Sequence, residues 1–466
     1  MSLRINPRPT FAGWLGALFA GGLLQLGQAD SPTAPWRLGK ALDLPSWLKL
    51  GGEYRMRYET LDGQFRAGRT GGDQALTFRT SLVAEFHTEP VQLVTEVLDA
   101  RQYLSDAGSP LDTTMVNALD VLQAHLRWQA GDLIPGGTNT VRIGRETLDL
   151  GNRRLVARNA YRNTINAFTG VDWLWEAHGG GSVRAFWFLP VQRLPSDFAS
   201  LLDNEIVADT QGFGQQFWGL YGTLPTWGPG IRSEVYWLQL HEDADADSRR
   251  RRLHTPGLRV FRNPAAGEWD FELEAAYQVG DTRVRVGLNE PVLDHEAHLL
   301  HAGVGHTFDL TWKPRIGVRY TEATGDNSPT DGSNERFDTL FGARRWEFGP
   351  TGIYGLVPRA NLRSPDWQIA VRPRSNLELS ATHRLIWLES ARDAWTAAGV
   401  RDATGNSGDF VGHQVETRLR YDALPGNLRL DTGVVYFAAG GFAEAAPNAT
   451  RQGDSVFSYV ELTLTF

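Results

Sequence analysis

The sequence of 466 residues contains no cysteine and only three lysines, at positions 40, 49 and 313. Without cysteine the chain forms no disulfide and offers no thiolate as a metal ligand or nucleophile. The other 43 of its 46 basic residues are arginines. A GC-rich genome would produce this bias, but arginine is also the side chain that binds carboxylates through two parallel hydrogen bonds. The placement of the arginines therefore decides what they indicate.

Long apolar runs are almost absent as well. After the N-terminal region no stretch of 18 apolar residues occurs, which excludes a membrane-spanning helix there. The apolar run at 11–24 follows Arg4 and Arg8 and precedes two small residues, the layout of a secretory signal peptide. We therefore predict a signal peptide over residues 1–29 and a mature chain over 30–466. Removing the two arginines takes the formal charge from −8 to −10.

The last nine residues, SYVELTLTF, alternate strictly between apolar and polar side chains. A period of two predicts a strand with two different faces, either in a soluble sheet or in a barrel surrounded by lipid. A chain that ends on an aromatic residue is typical of the closing strand of bacterial outer-membrane proteins. We therefore expect Leu462, Leu464 and Phe466 to face lipid and Glu461, Thr463 and Thr465 to face the lumen. Phe466 would be recognised by the barrel assembly machinery.

Alternating segments of about ten residues, the length of a tilted membrane strand, recur along the rest of the chain. They predict an all-β fold: a single transmembrane antiparallel β-barrel of about 18 strands that occupies residues 30–466. The predicted strands are 47–60, 76–87, 90–102, 115–129, 139–148, 164–178, 181–190, 211–224, 230–242, 252–262, 266–280, 294–308, 311–323, 364–373, 375–389, 409–422, 426–438 and 455–466.

The connections between these segments alternate in length. Short connections such as GGG at 179–181 and LPGN at 424–427 alternate with long ones such as 149–163, 191–210 and 324–363. This rhythm predicts short periplasmic turns, long extracellular loops and both termini in the periplasm. Unclear parity predicts β-bulges in the segments 90–102 and 294–308.

Three stretches resemble the alginate-export family of Gram-negative outer-membrane barrels. They are VRIGRETLDLGNRR at 141–154, WDFELEAAYQVG at 269–280 and PRIGVRYTEATGDNSPTDGSNERFDTLF at 314–341. The last is the most specific, with Arg319-Tyr320, Gly325-Asp326, Asp331-Gly332, Phe337 and Phe341 all in place. The resemblance covers most of the mature chain. It implies an 18-stranded barrel in the cell outer membrane that conducts an anionic polysaccharide.

Many strands carry charged side chains at every second position. Such side chains cannot face a dry core or lipid, so we assign them to the lumen face. If the acids pair with the arginines, they would hold them in a row of ion pairs along the wall. Alternatively, these charges only keep the lumen wall solvated and bind no substrate. The predicted lumen arginines are Arg55, Arg57, Arg79, Arg127, Arg142, Arg184 and Arg319. The predicted lumen acids are Glu53, Glu85, Asp270, Glu272 and Glu274.

The third long loop adds a local positive excess. Arg142 and the loop arginines Arg153, Arg154, Arg158 and Arg162 lie within 21 residues, and the only acids between them are Glu146 and Asp149. A loop in this region that folds into a barrel would narrow the pore with cations and attract anions by focusing the field. We therefore predict an anion-selective channel in which this loop and the adjacent wall carry much of the preference.

Other chemistry is not indicated. The segment HEAHLLH at 295–301 lacks the H-E-x-x-H spacing and reads as a strand, so no metal or cofactor is expected. The loop DNSPTDGSN at 326–334 resembles a calcium loop but lacks the glutamate at its twelfth position, which leaves only a loose surface site open. No signature of a hydrolase is present, and we expect no enzymatic activity. The acidic balance and the lack of motifs argue against nucleic acid.

Three classes of function remain for such a barrel. The first is a channel for an acidic polysaccharide such as alginate, or for its oligomers. The second is a general or small-solute porin of the same barrel type, and the third is a barrel enzyme or adhesin acting through the outer loops. The expected partners are outer-membrane lipid and lipopolysaccharide, the assembly machinery, and an anionic saccharide or small anion. We expect a monomer.

Overall fold

Alternating side chains produce long antiparallel strands through most of the chain. The computed structural model describes residues 34–466 apart from residues 107, 246 and 329. The predicted signal peptide at 1–29 lies outside the described residues. The strands are β1 Leu48–Asp62, β2 Asp73–Thr88, β3 Val91–Tyr103, β4 Asn117–Gln129, β5 Gly137–Glu146, β6 Phe168–Ala177, β7 Ser182–Pro190, β8 Gln215–Thr223, β9 Arg232–Glu242, β10 Arg252–Arg262, β11 Trp269–Arg283, β12 Val292–Thr307, β13 Arg315–Ala323, β14 Ser333–Asn334, β15 Leu362–Arg374, β16 Leu377–Trp387, β17 Phe410–Leu424, β18 Leu428–Ala439 and β19 Ser455–Thr465.

The wall is a closed antiparallel barrel of 18 strands within the described chain. Each wall strand pairs with its neighbours in sequence, and β1 pairs with both β2 and β19. The pair Glu53–Thr465 lies at one end of the closing seam and Asp62–Val456 lies at the other. The two-residue strand β14 stands outside this count because it pairs parallel to β12 and belongs to a loop. The predicted strand number and class are confirmed.

Several predicted strands are too long at one end. The segments 164–178, 211–224 and 311–323 begin about four residues before β6, β8 and β13. The pairing of β3 with β4 shifts register between Glu96 and Val97, as expected for the segment 90–102. The bulge expected at 294–308 was wrong, because β12 pairs without a shift on both sides. The three strands were predicted too long because the loop and turn residues before β6, β8 and β13 also have side chains that favour strands. Local alternation does not distinguish such residues from the strand itself.

The last strand has the predicted orientation. Val460, Leu462 and Leu464 are exposed on the outer surface, whereas Tyr459 and Glu461 are buried inside the barrel. The same alternation places apolar side chains outside along the whole wall, where lipid rather than water covers them.

Connections at the two ends of the barrel differ in length, as predicted. Eight turns of two to eight residues lie at the end that holds Phe466, and nine loops of eight to 38 residues, L1 to L9, lie at the other end within the described chain. The loops used below are L1 (63–72), L3 (147–167), L4 (191–214), L7 (324–361) and L8 (388–409). The helices are short: α1 Leu38–Ala41, α2 Phe198–Leu202, α3 Arg345–Phe348 and α4 Gly441–Ala445. No helix in the described residues is long and apolar enough to cross a membrane.

Two large apolar clusters and two smaller ones lie among the described residues of the interior. One large cluster joins L7 to β16–β19 around Tyr354, Trp395 and Phe437. The other large cluster joins L3 and L7 to β6–β13 around Phe168 and Phe217. Alternation alone predicts a polar lumen, but inward positions near the loops are apolar because L3 and L7 fold into the barrel and cover them.

Candidate functional site

L3 crosses the lumen and is attached to the wall by arginines of β1 and β2. The guanidiniums of Arg55, Arg57 and Arg79 donate to the backbone carbonyls of residues 160–162 at 2.7–3.1 Å. Arg55 also donates to Asn163 at 3.2 Å. Three of the predicted pore arginines therefore position the loop by binding its backbone.

Arg154 attaches the other part of L3. Its guanidinium donates to Glu272 at 2.7 Å and to Glu274, both on β11, and to Glu347 of L7. Burial alone would lower the pKa of Arg154, but the three carboxylates raise it well above its usual value. Burial would likewise raise the pKa of Glu347, and the guanidiniums of Arg154 and Arg359 hold it well below its usual range. Both groups stay charged.

L7 is joined to L3 and to the wall by the same kind of contact. Arg359 donates to the carbonyl of Arg154 and to the carboxylate of Glu347, each at 2.6 Å. Arg345 donates to Glu416 of β17 at 2.8 Å and to Tyr459 of β19 at 3.0 Å. L3 and L7 thus form one loop barrier inside the barrel, with buried ion pairs that are costly to break.

The remaining arginines of L3 have three different environments. The Arg153 guanidinium lies 4.3 Å from the ring centre of Trp346 in L7. Arg158 binds Glu96 of β3 at 2.6 Å. Arg162 makes no ion pair with any described residue, although it is half buried.

A water-accessible vestibule lies on the periplasmic side of the loop barrier. Three of its cavities have volumes of about 450, 420 and 290 Å³, and the third shares wall residues with each of the other two. Seven cations and three carboxylates line the cavity of about 450 Å³. The cations are Lys313, Arg315, Arg319, Arg345, Arg372, Arg418 and Arg420, and the carboxylates are Glu347, Glu378 and Glu416.

Most vestibule arginines form an ion pair with a single carboxylate. Arg319 binds Asp366 at 2.8 Å, and Arg372 binds Glu378 at 2.9 Å. Arg418 and Arg420 share the single carboxylate of Asp431. Because a guanidinium has five N–H donors, one carboxylate leaves several donors free for a ligand. The vestibule therefore has a cationic surface with unused hydrogen-bond donors.

A second group of cations, the outer arginine cluster, lies on the extracellular side of the barrier. It consists of Arg66 of L1, Arg162 of L3, Arg193 of L4 and Arg344 of L7. None of the four makes an ion pair within the described residues, and three donate to backbone carbonyls. The guanidiniums of Arg66 and Arg344 both lie within 4.0 Å of the position that a side chain on Gly355 would take.

The pKa values of this cluster reflect its surroundings. Burial, together with the neighbouring Arg344, lowers the pKa of Arg162 to about 9. Burial, together with Arg359, lowers the pKa of Arg344 to about 10. The groups stay charged at neutral pH. The carboxylate of Asp112 acts on all four guanidiniums without an ion-pair contact, and Asp73 and Asp209 act on one each, so the cations of the cluster outnumber the nearby acids. Such a cluster favours a bound anion.

The other predicted site residues are wall pairs. Arg142 and Arg184 both bind Asp172, and Glu53 binds Arg79 at 2.5 Å. Arg127 donates to Gln92 at 3.5 Å, and Glu85 contacts His87 at 3.0 Å. Asp270 binds Arg315, and Glu272 binds Arg259 as well as Arg154.

Sequence analysis missed Arg66, Arg193 and Arg344 of the outer cluster and Arg345, Arg372, Arg418 and Arg420 of the vestibule. A signal existed for Arg418 and Arg420, which alternate in TRLR on one face of β17. No local signal exists for the outer cluster, because its members come from four loops that only the folded barrel brings together.

Comparisons with solved structures agree with this architecture. OccK3 (OpdO) of Pseudomonas aeruginosa has 14% identity over 91% of this chain and 97% of its own, with a TM-score of 0.54. OpdK of the same organism, in a structure with vanillate, has 12% identity over 90% and 98%, with a TM-score of 0.55. The outer membrane protein OprD of that organism has 12% identity over 90% and 94%, with a TM-score of 0.52. At this identity the likeness shows the fold.

The family model of alginate export matches residues 46–457, and the chain belongs to that family. Together with the closed barrel and its water-accessible lumen, this membership defines the class of the protein as an outer-membrane channel of Gram-negative bacteria. A search of curated proteins found no significant match.

Proposed function

We propose that this protein is an anion-selective outer-membrane channel for an acidic polysaccharide such as alginate or for its oligomers. The observation that carries the proposal is a cationic excess on both sides of the loop barrier: the outer arginine cluster on one side and the vestibule on the other. In a narrow lumen of low effective dielectric, these charges act on a carboxylate more strongly than they would in water. The membership of the alginate export family supports the substrate class.

Successive cationic sites suit a polymer with one carboxylate per sugar. A chain that binds the outer cluster with one residue can place later residues on Arg418, Arg420 and Arg372 in turn. Each site is moderated by a protein carboxylate such as Asp431 or Glu378, so a passing carboxylate is attracted without being trapped. The protein acts in this proposal as a monomeric channel and catalyses no reaction.

The test is a reversal potential across a planar bilayer in a salt gradient. The wild type is expected to prefer anions. A variant with Arg372→Gln and Arg420→Gln should lose much of this preference, because it removes two vestibule cations and leaves the carboxylate of Glu378 without its partner. The matched control changes Arg285→Gln and Arg451→Gln, two exposed arginines of outer loops. A cation-selective wild type, or equal shifts in both variants, would refute the proposal.

A second candidate is a porin for small carboxylates. It is favoured by the loop barrier, because two loops joined by buried ion pairs leave less room than an open pore. The similar OpdK was solved with vanillate, a small carboxylate. Liposome-swelling rates separate the two candidates. The small-solute porin would be favoured if monouronates enter the liposomes while uronate oligomers neither enter nor block the current.

A further inference from the structure

Trp346 of L7 is exposed, whereas the aromatic residues of the apolar clusters inside the barrel are mostly buried. It is 40% exposed and lines two of the vestibule cavities, of about 450 and 290 Å³. Among the described residues, no other large apolar side chain that lines the vestibule is as exposed. A large aromatic surface left in water in a charged lumen is costly unless a ligand covers it.

The Trp346 ring is held in place from several directions. The Arg153 guanidinium lies 4.3 Å from the ring centre, a cation–π contact on one side. Arg319 of β13 donates to the backbone carbonyl of Trp346 at 3.4 Å. The adjacent residues Arg345 and Glu347 are buried and ion-paired. The ring is therefore a preorganised surface, because its backbone and neighbours lose little freedom when a ligand binds.

The backbone of Arg153 supports the same interpretation. Its φ is +63°, in the left-handed region that arginine rarely adopts. This conformation is maintained by the Arg153 carbonyl, which accepts a hydrogen bond from Ala343 of L7 at 2.8 Å. Strained backbone of this kind occurs preferentially where it positions a functional group.

We propose that Trp346 is a stacking platform for a pyranose ring in the vestibule, and that the nearby arginines bind the carboxylate of the same or an adjacent sugar. The apolar C–H face of a pyranose packs against an indole ring, and Arg418 and Arg420 line both cavities that Trp346 lines. A uronate presents both features, an apolar ring face and a carboxylate that guanidiniums bind. This inference rests on the proposed function and specifies the ligand of its vestibule as a uronate sugar.

The experiment measures block of the single-channel current by trigalacturonate, with acetate and benzoate as further probes. Trp346→Ala should weaken the block by trigalacturonate about fivefold to tenfold, the loss expected for one aromatic stack. Trp346→Phe, which keeps an aromatic face, should retain most of the block. The matched control is Trp367→Ala, which removes a ring of similar exposure, 44%, from the lipid-facing side of β15. Heat-modifiable migration of each variant verifies folding.

A reversal potential measured in a gradient of an acetate salt reports the anion selectivity of the channel separately from sugar stacking on Trp346. Trp346→Ala should leave this reversal potential unchanged, because the substitution removes no charge. An unchanged trigalacturonate block in this variant would overturn the platform while leaving anion selectivity intact. A benzoate block that depends on Trp346 as strongly as the trigalacturonate block would overturn the saccharide class. A cation-selective wild type whose trigalacturonate block still depends on Trp346 would refute the proposed function and support the platform.

Discussion

Arg154 of L3 and Glu347 of L7 form a buried ion pair inside the barrel, although 193 positions separate them in the chain. Glu272 and Glu274 of the wall share the same guanidinium. This network joins two loops to each other and to the barrel, so it controls how far the loop barrier can move.

Arg154→Gln should loosen the loop barrier. The substitution removes the cation that three carboxylates share and leaves them only Arg359 and Arg259, and breaking a buried ion pair costs about 3–5 kcal/mol. We expect a noisier current with larger openings, and partial recovery in the double variant Arg154→Gln/Glu347→Gln. Arg363→Gln is the control, since its ion pair with Asp409 is about 40% exposed on both sides and contributes little. Equal current noise in Arg154→Gln and the control would contradict the assignment.

Arg55→Lys should release part of L3. Arg55 donates to three carbonyls of L3 and to Asn163, and a single ammonium cannot span these acceptors. We expect faster hydrogen exchange at residues 158–166, by roughly tenfold if about 1.4 kcal/mol of local stability is lost. Arg127→Lys is the control, because the hydrogen bond of Arg127 to Gln92, at 3.5 Å, is its only one to a described residue. Unchanged exchange in Arg55→Lys would show that other contacts hold the loop.

Val460→Arg should impair folding into lipid. Val460 is 50% exposed on the outer face near the middle of β19, where an arginine costs about 2–4 kcal/mol at the bilayer midplane. Leu464→Arg, closer to the end of the strand, should cost less. Thr463→Arg faces the vestibule and should fold normally. The measurement is the fraction of heat-modifiable protein in vesicles, and equal folding of all three variants would show that β19 has a different orientation.

Asp326→Asn should stabilise L7 in a pH-dependent way. Burial and the neighbouring Asp393 raise the pKa of Asp326 to about 6, against about 3.9 in an unfolded chain. Its contribution to stability is therefore fully present below pH 4 and is lost as the pH rises through 6, at a cost of about 2–3 kcal/mol at pH 8. Asparagine removes this cost, so hydrogen exchange in L7 should slow at pH 8 but not at pH 4.

Asp331→Asn is the control for this effect in the same loop. The Asp331 carboxylate accepts hydrogen bonds from Ser333, and the pKa of Asp331 is lowered by those bonds. Its substitution should give no gain at pH 8. Equal protection of L7 by Asp326→Asn at both pH values would contradict the role of the buried charge.

The wall of this barrel could be predicted from the sequence because its determinants are local. In β19, each of Leu462, Glu461 and Leu464 faces lipid or lumen according to its own polarity, so alternation shows the face and the strand count follows. The short and long connections alternate for an equally local reason, since periplasmic turns need few residues. Strand ends were less certain because loop residues next to β6 and β8 also alternate.

The functional interior was decided by the tertiary structure. Arg154 and Arg162 are both arginines of L3 and cannot be told apart by their local sequence. In the folded barrel, three carboxylates neutralise Arg154, whereas Arg162 has no ion-paired partner among the described residues. Trp346 reaches the vestibule only because L7 folds back into the barrel. Contacts between positions up to 193 residues apart select which charges are paired and which are free. Alternation within ten residues contains no information about such distant contacts.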